Sequence, residues 1–126
     1  MATHASDDGV FSVHAVAVDG TTHIVLRGEV DLAARDALTE AFDAAADSGR
    51  RVVVDATAVS FLDSSAIGCL ARAVRDGATV CVVNPQPAVR RALEISGIDK
   101  AIDISAGHHE RRNHTARDDC VSPNDA

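Results

Sequence analysis

The chain has 126 residues, which suggests one domain. Hydrophobic residues make up 46% but aromatics only 2%, so a core must be built from Val, Ile, Leu and Ala. The formal net charge of −7 argues against nucleic acid or an anionic membrane surface as the main partner. No apolar run is long enough to cross a bilayer and the first nine residues are polar, so direct membrane insertion is not expected and a cytoplasmic location is.

Residues 1–9 read as a disordered leader. From Phe11 to Val18 the residues alternate, with Val13, Ala15 and Ala17 on one side and His14, Val16 and Val18 on the other, which suits a strand. Asp19-Gly20 is a hairpin turn signal, and Thr22 to Arg27 reads as a second strand antiparallel to the first. His14 and His23 have no neighbour at a metal-ligand spacing. Asp31 precedes a helix running to about Ser48 and stopped by Gly49. Its buried face is Ala34, Leu38, Ala41, Phe42 and Ala45. The opposite face carries an acidic stripe of Asp36, Glu40, Asp43 and Asp47. That stripe is either a solvated surface or a means of steering a basic partner.

Val52 to Asp55 starts the next strand as a short buried β-branched run. Phe61-Leu62 returns apolar weight to the core, and Asp63-Ser64-Ser65 opens a helix. A carboxylate or a hydroxyl there can accept from the first-turn N–H groups; on local sequence Ser64 is the first choice of cap. Ile67, Leu70, Ala71 and Val74 make its apolar stripe. Ser65, Gly68, Cys69 and Arg72 point away from it, a low surface suited to another protein's backbone. Gly68 costs roughly 1 kcal/mol against Ala. It lets either a partner or a loop of the same chain approach closely. Ala78 to Val83 reads as a central strand, Asn84-Pro85-Gln86-Pro87 as a rigid turn, and Pro87 or the residues after it as the start of a helix closed by Gly97. Ile102 to Ile104 is a short last strand. Residues 105–126 are polar, without apolar periodicity, and read as a disordered tail.

The order β-β-α-β-α-β-α-β predicts an α/β fold, a mixed sheet of about five strands covered by about three helices. Cys69, Cys81 and Cys120 are odd in number and widely spaced; Cys69 and Cys81 read as small, partly buried thiols, with a disulfide between them left open. His108, His109, His114 and Cys120 match no standard zinc spacing, so no metal is expected. A nucleophilic serine needs a base and an orienting group. The Gly-x-Ser-x-Gly elbow is absent and no histidine lies between His23 and His108, which argues against a hydrolase. A phosphate-binding Gly-x-x-x-x-Gly-Lys-Ser/Thr loop is absent too, against a nucleotide-hydrolysing protein.

Leu62-Asp63-Ser64-Ser65-Ala66-Ile67-Gly68, after a Val-rich strand, resembles the signature of the STAS family, the sulphate transporter and anti-sigma factor antagonist domains. Gly28-Glu29-Val30-Asp31-Leu32 and Val83-Asn84-Pro85 with Val89-Arg90-Arg91-Ala92-Leu93 resemble further family segments in the same order. The resemblance covers residues 10–104. It implies a mixed sheet with packed helices. It also implies a non-enzymatic anti-sigma factor antagonist, without a cofactor. Such a protein binds an anti-sigma factor serine kinase while unphosphorylated and so frees a sigma factor. Phosphorylation at the first serine of the pair, here Ser64 with Ser65 as fallback, switches binding off, and a phosphatase restores it. The expected contacts are Asp31, Asp63, Ser64, Ser65, Gly68 and Arg72. Ala66 stands where many members carry glycine, and the tail lacks the further helix that members commonly add. The alternative role within the family is a regulatory or assembly subunit of a membrane transporter's ATPase.

Overall fold

The computed structural model describes residues 2–5, 11–48 and 51–105. Six strands form one sheet in sequential order: β1 (Ala2–Ala5), β2 (Phe11–Val18), β3 (Thr21–Val30), β4 (Arg51–Leu62), β5 (Thr79–Val83) and β6 (Asp103–Ser105). The pairs β1–β2 and β2–β3 are antiparallel, while β3 to β6 run parallel. The parallel pairs are joined through α1 (Arg35–Ser48), α2 (Ser64–Arg75) and α3 (Pro87–Ser96). Crossovers of one hand, taken in sequential strand order, put all three helices on one face of the sheet. The core shows this: Leu38 of α1, Leu70 of α2 and Val89 and Leu93 of α3 share one apolar cluster with Ile24, Val54 and Val82 of the sheet.

Local chemistry explains the elements. Asp19 and Gly20 both have positive φ, 52° and 81°, the backbone of a two-residue turn whose twist matches a hairpin. It sets the register Val18 opposite Thr21 and puts Phe11, Val13 and Ala15 beneath the helices. β4 is buried on both faces where it is central: Val52, Val53 and Val54 are all within 5% exposure. Pro87 opens α3 at its first turn and Gly97 closes it, as the sequence suggests.

Three differences from the sequence reading have physical causes. Residues 2–5, within the expected leader, pair with β2, Ala2 opposite Ala15 through Ala5 opposite Ser12. An open sheet edge offers unpaired N–H and C=O groups, and pairing to them needs no apolar side chains. The expected tail begins one residue too early, since Ser105 belongs to β6; residues 106–126 lie outside the described residues, as do Gly49 and the rest of the leader. Strand β4 continues seven residues past Asp55. Only β3 pairs with this extension, through Val30 opposite Leu62, so its outer positions are exposed, Thr57, Ala58 and Ser60 small or polar and Phe61 an exposed aromatic, and its pattern is not that of a buried strand.

Side chains from the β5–α3 connection support that extension where β5 has ended. Gln86 Nε2 donates to the Thr57 carbonyl at 3.0 Å and Asn84 Nδ2 to Thr57 Oγ1 at 3.2 Å. Asp55 Oδ1 in turn accepts from Thr57 N at 3.0 Å and Thr57 Oγ1 at 2.7 Å. The end of β4, and the helix that follows it, is thereby held out beyond the main sheet.

Leu93 is fully buried, whereas Ile95, two residues on, is 75% exposed. Leu93→Ala should cost about 2–5 kcal/mol, and Ile95→Ala less than about 0.5 kcal/mol. Urea unfolding of the two variants checks this, and comparable losses would contradict the packing of α3.

Candidate functional site

The end of β4 delivers Asp63 to the start of α2. Asp63 has extended backbone, φ −95° and ψ −178°, and its side chain caps the helix. Its Oδ1 accepts from Ala66 N at 3.1 Å and from the Ser65 hydroxyl at 2.7 Å. Its own N–H donates to the Val30 carbonyl at 3.1 Å, extending the β3–β4 ladder by one rung. Burial pushes the Asp63 carboxyl up. Hydrogen bonds from the Ser65 hydroxyl and from the N–H groups of Ala66, Ser65 and Leu32 together outweigh this and hold it below its ordinary value. Asp63 thus ties α2 to the end of β3, its carboxylate bound to the helix start and its N–H to the Val30 carbonyl.

That assignment corrects the choice of Ser64 as cap. Asp63 is the cap and Ser64 is the first helical residue. The two serines consequently differ. Ser65 is half-buried and its hydroxyl is committed to Asp63. Ser64 is exposed and takes no part in the cap. A group added to its oxygen would sit in solvent beside the positive end of the helix dipole.

The apolar face of α2 is also rotated from the sequence reading. Ala66, Leu70 and Ala73 are buried, whereas Ile67, Ala71 and Val74 are only half-buried beside them. Cys69 therefore does not belong to the outer surface. Its Sγ lies 3.7 Å from Thr39 Oγ1 of α1, in a groove between α1 and α2 lined also by Phe42, Arg72 and Asp76. Cys69 carries a free thiol, so it is not joined to Cys81. Cys81 is disulfide-bonded, and the reading of both as thiols holds for Cys69 alone.

What remains on the outer surface is Ser64, Gly68 and Arg72, all exposed. A Cβ built on Gly68 meets no atom within 4 Å. No loop of this chain packs there among the described residues, which removes the internal explanation for the glycine. Arg72 reaches Asp76 at 3.8 Å, an exposed pair of small energetic weight. Asp31 caps the short 3₁₀ turn Leu32–Ala34, accepting from Ala33 N at 3.0 Å. Asp31 lies next in the chain to Val30, whose carbonyl accepts from Asp63 N.

Two residues at this end of the sheet escaped the sequence reading. Leu32 is 63% exposed and Phe61 50%. The sequence places Phe61 in the core with Leu62, but only Leu62 turns inward. The two flank Asp63, Leu32 two residues after Val30, to which Asp63 N–H donates, and Phe61 two residues before Asp63. An apolar rim around a polar helix start is a common form of protein-binding surface. The signal available in sequence was the alternation of Phe61 with Leu62, which sends the two to opposite faces of a strand. On α1, Asp36, Glu40 and Asp43 of the acidic stripe are exposed; the Asp47 side chain lies outside the described residues. No group of three or more metal-ligating side chains occurs among the described residues, and the His108, His109, His114 and Cys120 set lies outside them. No described helix is long and apolar enough to cross a membrane.

A family model described as Mlab, STAS domain, matches residues 13–104. The chain belongs to the STAS family. A STAS-domain containing protein of Pseudomonas aeruginosa (strain UCBPP-PA14) is 34% identical over 86 residues, 65% of this chain and 85% of the relative. The crystal structure of an anti-sigma factor antagonist from Mycobacterium paratuberculosis superposes with a TM-score of 0.70 at 26% identity, covering 90% of this chain and 99% of that one. SpoIIAA, an anti-sigma factor antagonist, shares the fold at 22% identity. Its unphosphorylated form gives a TM-score of 0.67 over 82% of this chain and 96% of that one, and the phosphorylated Bacillus form 0.61 over 80% and 96%.

Two outcomes follow from this geometry. Because the folded-state pKa of Asp63 lies below its unfolded value, its contribution is present above the ordinary carboxylate range and is lost as pH falls through the folded pKa. Asp63→Ala should cost about 1–2 kcal/mol at pH 7, and the deficit should shrink below about pH 4; denaturant titrations at the two pH values measure it. Gly68→Ala should leave the isolated protein unchanged or stabilise it by up to about 1 kcal/mol, since the position is open and helical. A clear loss of stability would mean that the glycine serves internal packing.

Proposed function

We propose that this STAS protein is an anti-sigma factor antagonist that binds an anti-sigma factor serine kinase through the start and open face of α2, and so frees a sigma factor. The observation that carries the reading is the division of labour between the two serines. The Asp63 cap takes Ser65 into the fold and leaves Ser64 exposed at the first helical position. Ser64 is the phosphoacceptor and Ser65 is not. The partner's kinase transfers the terminal phosphoryl group of Mg-ATP to Ser64 Oγ, and ADP and the hydroxyl proton leave. A phosphatase returns the hydroxyl by hydrolysis, releasing inorganic phosphate. The antagonist catalyses neither step.

The switch follows from charge. A phosphate carries about −1.5 to −2 at neutral pH. At a helix N-terminus it is compatible with the fold. Asp63 already places a carboxylate against the N–H groups of Ala66 and Ser65, so a Ser64 phosphate faces outward, toward the partner. Burying a dianion in an interface shaped for a hydroxyl carries a large desolvation cost. Asp31 and Arg72 serve as polar contacts, Gly68 admits the partner's backbone, and Leu32 and Phe61 supply the apolar rim. The structural likeness to SpoIIAA, known in both unphosphorylated and phosphorylated forms, supports this reading.

Ser64→Ala should bind the kinase constitutively, and Ser64→Asp should bind at least tenfold more weakly, both with wild-type stability. Affinity capture from the native cell lysate, with wild-type and Ser64→Asp baits read by mass spectrometry, checks it. A kinase-fold protein held by the wild type and lost from Ser64→Asp supports the switch. A transporter ATPase held equally by both baits would instead make this chain a transporter subunit.

A further inference from the structure

The groove between α1 and α2 takes no part in the switch at Ser64. Its floor is apolar: Phe42 of α1 and Ala73 of α2 are buried there, and the half-buried Cys69 thiol lies beside them. Its rim is charged. Asp43 comes from α1 and Asp76 from the end of α2, and both are exposed. The groove holds about 410 Å³ of space, part of it open to solvent. An apolar floor under a charged rim suits a long side chain with a hydrocarbon stem and an ionised tip.

The charges around it fix the sign of that tip. Among the described residues, two carboxylates and one guanidinium, that of Arg72, line the groove. Arg72 Nε stands 3.8 Å from Asp76 Oδ2, beyond hydrogen-bond distance, with both side chains more than half exposed. Such a pair yields readily to a better-placed cation. Asp76 is also the C-terminal cap of α2, where the negative end of the helix dipole adds to its charge. The groove is continuous with the surface at Ser64. Ser64, Gly68 and Arg72 follow one another at intervals of four along α2, and all three are exposed. Eight residues of helix cover roughly 12 Å at 1.5 Å per residue. A partner patch of about 800 Å² is wide enough to reach both ends.

We propose that the α1–α2 groove receives an arginine side chain of the protein that binds at Ser64, an inference that rests on the proposed kinase docking for the identity of that protein. The arginine's methylenes lie on Phe42 and Ala73, and its guanidinium enters between Asp43 and Asp76. Lysine offers a compact point charge, whereas the planar guanidinium carries five donors and serves two carboxylates at once. The contact stands apart from the phosphoacceptor. Phosphorylation therefore weakens the complex at one end and leaves the arginine seated at the other.

The first test uses this chain alone. The full chain, labelled with nitrogen-15, is titrated with N-acetyl-arginine amide and, in parallel, with the uncharged isostere N-acetyl-citrulline amide. Saturable shifts are expected at the amides of Asp43, Cys69, Ala73 and Asp76 with arginine. They should be absent with citrulline and absent in the Asp43→Asn, Asp76→Asn double variant. No saturable shift, or equal shifts with citrulline, would overturn the proposal. The second test adds the double variant to the capture experiment. Its affinity for the captured kinase should fall about tenfold, and more steeply as salt is raised the wild type should approach it. N-ethylmaleimide should alkylate Cys69 several-fold more slowly in the wild-type complex than in the free chain. Undiminished binding by the double variant, or an unprotected Cys69, would show that the partner leaves the groove empty. Failure of the switch reads differently: Ser64→Asp then holds the partner as tightly as the wild type, while the double variant still loses it.

Discussion

The carboxylate of Asp63 is where the two halves of this molecule meet. It closes the start of α2 and accepts from the Ser65 hydroxyl, while the backbone N–H of the same residue continues the β3–β4 ladder by donating to Val30. The helix start therefore has a fixed position relative to the end of β3. That fixity separates two adjacent serines of the same chemistry into one held by the fold and one presented to solvent. An interface that discriminates a hydroxyl from a phosphate needs such a fixed presentation, because discrimination rests on where the added charge lands.

The platform beneath it is the parallel β3–β4 ladder, which runs from Thr21 opposite Arg51 to Val30 opposite Leu62 with two register irregularities. Its first half is central in the sheet, with β4 buried there on both faces. Its second half has β3 on one side and, on the other, the amide side chains of Asn84 and Gln86 in place of a strand. The helices cover a single face because the strands follow sequence order. The site at the start of α2 and the helix-free face of the sheet thus lie in different parts of the molecule.

Much of this was legible beforehand. The Asp19-Gly20 turn, the Val-rich central strands and the Pro87 helix start are set by local backbone chemistry, which acts over a few residues. The extension of β4 was not legible, because small and polar residues paired on one side only carry no strand pattern. Nor was the strand at residues 2–5, which exists through pairing with a partner's backbone. Phe61 misled for a related reason: an aromatic is assigned inward by its chemistry, but strand alternation with Leu62 turns it out.

By itself the sequence determined the family, the order of elements and the small-residue surface of α2, because motif, periodicity and turn chemistry are properties of short stretches. Tertiary structure alone decided which residue caps α2, which serine is exposed, that Gly68 faces open space and that Cys69 lies against α1. Each of those depends on what approaches from elsewhere in the chain. A side chain's capacity to cap, to accept phosphate or to pack is written in its type; which of these it does is settled by its neighbours in space.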